Sequence, residues 1–156
     1  MSDALLTVDH LNVGFATRAG IVRAATDITF EIHPGEVLAV VGESGSGKSV
    51  TALALMRLHP DNAIVTGDVL FEGCDLLNMS DREMRATRGN DIAMIFQDPM
   101  TAMNPVFAVG DQIVETIRVH DSSISKQEAW TKSVDLLKLV GVPEPKRRAS
   151  QYPHEY

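Results

Sequence analysis

Gly42-Glu43-Ser44-Gly45-Ser46-Gly47-Lys48-Ser49 satisfies the pattern G-x-x-x-x-G-K-[ST] at every position, and what flanks it decides the fold. Ahead of it, Glu36-Val37-Leu38-Ala39-Val40-Val41 is short, β-branched and apolar on both faces, which predicts a buried parallel strand. Behind it, Val50-Thr51-Ala52-Leu53-Ala54-Leu55-Met56-Arg57-Leu58 is rich in helix formers and free of Gly and Pro until Pro60, so the loop opens onto a helix N-terminus. Strand, glycine-rich loop and helix in that order predict an α/β fold that binds a nucleoside triphosphate.

The chemistry asks for these residue types. A triphosphate is polyanionic and strongly hydrated, so its water must be replaced by several converging donors while the backbone comes close. Glycines permit that approach and let successive N–H groups turn inward as an anion-binding nest. A helix N-terminus adds unpaired amides and the positive end of its dipole. Lys48 supplies a full charge to the terminal phosphates, and the Ser49 hydroxyl is placed to ligate Mg²⁺. With Val50 as the first residue beyond, 42–50 is the expected nucleotide cradle. A chance match in a chain of this size is on the order of one per cent. The rival dinucleotide pattern G-x-G-x-x-G fails, because Gly45-x-Gly47 is followed by Val50 where a third glycine belongs.

The totals agree with a globular domain: 156 residues, 44% of them hydrophobic, are enough for a sizeable core. A net charge of −7 argues against nucleic acid or an anionic membrane surface as partner. Residues 1–10 carry Asp3 and Asp9, with no basic region or long apolar stretch, so no secretory signal is expected there. No apolar run approaches the roughly 20 residues that span a bilayer. The single cysteine, Cys74, fits a reducing compartment and reads as a small residue after a turn glycine. Five histidines without ligand spacing argue against a metal site of side chains alone.

Along the chain, Leu5-Leu6-Thr7-Val8 and Leu11-Asn12-Val13-Gly14-Phe15 predict one or two antiparallel strands. Residues 16–20 predict a turn, and 21–25 and 28–32 two further strands, ended by the turn His33-Pro34-Gly35. Residues 65–72 predict another short strand. Ser80 with Glu83 and Ser125 with Glu128 are capping boxes, with Met79 and Met84 as a hydrophobic staple at the first. Asp91-Ile92-Ala93-Met94-Ile95-Phe96-Gln97 predicts a buried strand stopped by Asp98-Pro99. Helices are expected over 109–120 and 125–140, the second carrying Trp130, Val134, Leu137 and Val140 at helical spacing, with Trp130 as its core anchor.

The phosphate loop together with Ile95-Phe96-Gln97-Asp98-Pro99-Met100-Thr101-Ala102-Met103-Asn104-Pro105 resembles the ATP-binding subunits of ABC transporters. Within that family 41–58, the Gln97 segment, Val109-Gly110-Asp111-Gln112-Ile113 and Tyr152-Pro153-His154-Glu155 look like oligopeptide and dipeptide importer ATPases. The same wording fits relatives that carry nickel, glutathione or antimicrobial peptides. The resemblance covers essentially the whole chain. It implies an α/β P-loop NTPase (ABC ATPase) fold: an antiparallel β region over 1–35, a partial RecA-like core over 36–99 and part of a helical subdomain over 100–156. It implies ATP and Mg²⁺ as ligands. Phe15, which on spacing reads as a strand-core residue, falls where the family stacks an aromatic on adenine. Gln97 matches the glutamine that reaches Mg²⁺ and the attacking water, and its uncharged amide can orient water and withdraw without leaving a buried charge. Lys48 and Gln97 are thus the expected catalytic residues, with Ser49 and Gln97 at the metal. Reading 92–98 as an apolar strand ending in a metal-binding Asp fails, since Gln97 interrupts the run. The implied partners are transmembrane permease subunits, a second ATPase subunit, identical or not, and indirectly a substrate-binding protein. The implied location is the cytoplasmic face of the inner membrane, as a peripheral subunit.

The family's Ser-Gly-Gly signature, its apolar strand ending in Asp-Glu and its switch histidine do not occur in these 156 residues. The expectation is therefore an N-terminal part of a longer protein, unable alone to hydrolyse ATP because phosphoryl transfer depends on positioned charge. The unpaired strand over 37–41 would be an aggregation liability. Two other functions remain open on sequence: a soluble ABC-type ATPase of DNA repair or translation, and a non-catalytic product that binds nucleotide weakly. A small-molecule kinase or GTPase fits less well, as the base-reading Asn/Lys-x-Asp segment of GTPases is absent.

Overall fold

The computed structural model describes residues 4–97 and 102–156. Asp98, Pro99, Met100 and Thr101, within the Gln97 motif, lie outside the described residues, as do the first three positions with Asp3. The chain divides into two compact units, Met1–Ile92 and Ala93–Tyr156.

The first unit is an antiparallel sheet with two helices. β1 (Leu6–Thr17) and β2 (Gly20–Ile32) form a long hairpin, and β3 (Ala63–Phe71) adds to the other edge of β1, with the short β4 (Cys74–Asp75) outermost; the order is β2-β1-β3-β4. β1 is one continuous strand because it bulges. Val8, Leu11 and Val13 are all buried, yet 8 and 11 differ by an odd number, and a regular pleat would send one of them to solvent. The ladder shifts register between Val8 and Leu11, with His10 at φ 48, which returns Leu11 to the core face. The bulge is tied: the Asn12 amide donates to the His10 carbonyl at 2.7 Å, and the Asp27 N–H donates to the Asn12 Oδ1 at 2.9 Å. Asp27 itself sits at φ 56, and this lets 21–25 and 28–32, expected as two strands, run as one.

α1 (Lys48–Leu55) and α2 (Asp81–Thr87) follow the loop and the capping box as predicted. Ala54 of α1, Met84 of α2 and Leu76 join Val8, Leu11, Val13 and Val69 in one buried cluster, and Met79 packs against it.

Two strand expectations are corrected. No strand forms over 36–41; Val37 is 93% and Val41 89% exposed. Nor does one form over 91–97, where the only pairing is an isolated bridge from Arg88 to Ile92 and Ile95 is 95% exposed. The physical reason is the same in both. β-branched composition fits a pleated, half-buried surface but cannot supply the neighbouring strand that satisfies the ladder, and among the described residues none pairs with either segment.

The second unit is helical: α3 (Val109–His120), α4 (Lys126–Leu139) and the short α5 (Pro145–Ala149), then a 3₁₀ turn at Pro153–Glu155. Val109, Leu137 and Ala149 are buried together, with Trp130, Val134, Ile113 and Met103 packed on them. Trp130 is thus a core anchor, as read. Val140 is not: it is the C-cap of α4, before Gly141 at φ 79, and is 73% exposed. Leaving the helical period at Leu139 frees it from the apolar face.

Candidate functional site

The loop over 42–49 reverses the chain in a tight turn, with the Ser46 N–H donating to the Glu43 carbonyl at 3.2 Å, and enters α1 through Gly47 at φ 90, ψ −3. Three glycines meet three demands. A Cβ on Gly42 would stand 2.7 Å from the Ser46 Oγ, a hydroxyl that would have to turn aside to admit it. Gly45, at φ 82, has nothing within 4 Å of its virtual Cβ, so only its backbone angle requires glycine. Gly47 needs both: its virtual Cβ lies 2.4 Å from the Ala24 carbonyl oxygen on β2.

Lys48 lies across this turn. Its Nζ donates to the Gly42 and Glu43 carbonyls, each at 2.7 Å, and to the Ser46 Oγ at 3.2 Å. All three ammonium donors are used within the loop. A phosphate could therefore take the ammonium over by exchanging oxygen for oxygen, without first stranding a bare charge. The first turn of α1 carries no acidic residue, so nothing there opposes an anion at the helix N-terminus. Glu43, Ser44 and Ser49 are exposed, and Val50 is half-buried against the sheet.

The other expected site residues are placed less directly. Phe15, on β1, stands opposite Val22 and Ala63 and packs half-buried against the sheet cluster. Gln97 belongs to the second unit and is exposed. Beside the loop, a hollow of about 440 Å³ is lined chiefly by Ile28, Phe30, Ile32, Leu38, Val40 and Val41. Ser46, Lys48 and Thr51 also line it, so donors of the loop and of α1 share the hollow with an otherwise apolar wall.

Motif reading passes over two arginines at the far end of α1. The helix closes with the Leu58 N–H on the Leu53 carbonyl and the Arg57 N–H on the Ala54 carbonyl, a Schellman pattern that places Arg57 at the left-handed position, φ 49. Glycine is the usual occupant; a side chain there costs about 1–2 kcal/mol. The Arg57 guanidinium donates to the Met79 carbonyl at 2.5 Å and to Asp81 at 3.0 Å. Arg88 reaches back from the C-cap of α2 and donates to the Met56 and Arg57 carbonyls at 2.7 and 2.8 Å. The signal available in sequence was a non-glycine residue where the helix before His59-Pro60 must stop.

Comparison with known proteins joins this geometry to a family. The oligopeptide transport ATP-binding protein OppD of Bacillus subtilis is 49% identical over 154 residues, which is 97% of this chain and 43% of that protein. The dipeptide transport ATP-binding protein DppD of the same organism is 46% identical over 156 residues, 99% of this chain and 46% of that protein. The chain thus spans under half the length of these two relatives. Among solved structures, the dimeric bacterial ABC transporter cassette MJ0796 superposes with a TM-score of 0.81 at 21% identity, over 97% of this chain and 62% of that one, so the fold is an ABC cassette fold. The family model described as ABC transporter matches residues 25–156. With that match over most of its length, the chain belongs to the ABC transporter family.

Proposed function

We propose that the protein is an ATP-binding subunit that energises import of oligopeptides or dipeptides by binding and hydrolysing ATP. The observation that carries this reading is the glycine-lined turn over 42–49, folded around the Lys48 ammonium at the N-terminus of α1. The names of the OppD and DppD relatives support the transported class.

Gly42, Glu43, Ser44, Gly45, Ser46, Gly47, Lys48, Ser49 and Val50 form the phosphate cradle in this account. Lys48 gives up its loop carbonyls and takes the terminal phosphate oxygens, while the amides leading into α1 meet the rest of the chain of phosphates. Phe15 offers an aromatic face to adenine. Ser49, exposed one position past Lys48 with no carboxylate in its helical turn, fits a single-hydroxyl ligand for Mg²⁺, and the motif of Gln97 assigns it a metal-ligand role as well. When bound, that ion neutralises charge developing on the transferred phosphoryl group. Gln97 orients the attacking water through its amide.

The working assembly in this reading pairs two ATPase subunits against membrane permease subunits on the cytoplasmic face, with a binding protein delivering the peptide. Among the described residues no helix is long and apolar enough to cross a membrane. The test is Lys48→Ala in the natural protein. Losing a charge-assisted contact of about 1.5–3 kcal/mol should weaken ATP binding roughly ten- to a hundredfold and stop growth on an imported dipeptide or oligopeptide. Unchanged peptide uptake would overturn the proposal.

A further inference from the structure

We infer that Arg57 and Arg88 are positioning residues for the phosphate loop: together they strap the C-terminal end of α1 to both ends of α2 and so hold the helix N-terminus and Lys48 on station. This rests on the nucleotide reading above and extends it to residues remote from the loop.

Three observations carry it. Arg57 keeps a left-handed backbone, φ 49, at a helix end where glycine would sit without strain, and its guanidinium spans to the Met79 carbonyl and Asp81, at the start of α2. Arg88, at the other end of α2, grips the Met56 and Arg57 carbonyls. These carbonyls belong to the C-cap of α1 and the residue after it, at the end where the helix dipole is negative and a guanidinium is favoured. At its opposite end α1 is wedged by Gly47 against the Ala24 carbonyl. A helix of eight residues is only about 12 Å long, so fixing both ends leaves it little freedom to tilt. The amides and ammonium are thereby arranged before phosphate arrives, and binding need not bear that ordering.

The strap also has a direction. From Arg88 the chain runs through a turn, in which the Gly89 N–H donates to the Ile92 carbonyl at 2.8 Å, and leaves the first unit at Ile92 five positions before Gln97. Because coupling is reciprocal, phosphate at one end of α1 should steady this turn at the other.

The experiment uses the full natural protein with calorimetric titration of MgATP and amide hydrogen exchange. Arg57→Gly removes the guanidinium while suiting the left-handed backbone, so it separates positioning from stability. The expected result is an unfolding temperature at or above that of the parent, ATP bound about tenfold more weakly, and faster exchange over 42–49 even without nucleotide. Arg88→Lys should show an intermediate loss, since one ammonium replaces a fork of two donors. Unaltered exchange over 42–49 in Arg57→Gly overturns the inference, as does weaker binding accompanied by a matching fall in unfolding temperature, which would make the strap an ordinary stabilising contact. A folded parent protein that binds no ATP sinks the nucleotide reading instead, and exchange over 42–49 still decides the strap.

Discussion

Gly45→Ala and Gly47→Ala make a matched pair. Both residues have a left-handed backbone, φ 82 and φ 90, so each alanine pays for that conformation, about 1–2 kcal/mol. They differ in what the new methyl meets. At Gly45 it meets nothing within 4 Å; at Gly47 it would stand 2.4 Å from the Ala24 oxygen, with the Ala24 carbonyl carbon at 3.4 Å and the Ala25 Cβ at 3.5 Å. Backbone cannot swing aside as a side chain does, so the helix start must retreat from β2 at the usual cost of overpacking, about 1–3 kcal/mol more. The first unit of Gly47→Ala should therefore lose about 2–5 kcal/mol and that of Gly45→Ala only about 1–2. Urea unfolding of the natural protein and its two variants measures both, and ATP titration should show the larger loss for Gly47→Ala, whose retreat displaces Lys48. If the two variants unfold within about half a kcal/mol of each other, the wedge at Ala24 is not what fixes the start of α1.

Two further outcomes follow from packing and charge. Gly110→Ala places a methyl 2.7 Å from both the Ala149 carbonyl oxygen and the Trp130 ring, so the second unit should lose about 1–3 kcal/mol; Trp130 fluorescence during denaturation reports it, and an unchanged midpoint would contradict the packing described. His10 is held above its ordinary value of 6.5, first by its hydrogen bond to Asp27, then by the charge of Asp9, with Asp27 and Asp68 adding to it. A raised value in the folded state means that the stabilisation is complete below pH 6.5 and disappears as pH rises through the folded value. Parent protein should therefore lose stability relative to His10→Gln over that rise, and parallel stability curves would show the pair contributes nothing.

How much of this was legible in the sequence depended on whether a feature is local. The glycine-rich turn leading into α1, both capping boxes and the span of α3 are written in neighbouring residues; Ser80 and Glu83, and Ser125 and Glu128, meet as their spacing requires. Residues 36–41 were misread because a strand is a relation between two segments, and apolar β-branched residues reveal only one of them. The His10 bulge escaped notice since it is fixed by Asn12, Asp27 and Gly67 from three strands at once, Gly67 leaving just enough room for the His10 carbonyl. Arg57 looked like one more helix former, and only the fold shows that the helix has already ended and the side chain points at another element.

The strand order β2-β1-β3-β4 also sets a timetable for biosynthesis. β1 and β2 follow one another in the chain, but the strand that seals the second edge of β1 lies beyond the whole excursion of 33–62. At ordinary elongation rates that is a delay of roughly 1.5 to 6 seconds. Until the segments beyond 62 arrive, Val8, Leu11 and Val13 lack Val69, Leu76 and Met84 as cover and lie open to whatever holdase or protease waits at the exit tunnel. Synonymous codons that slow translation across 33–62 should accordingly lower yield without altering one amino acid.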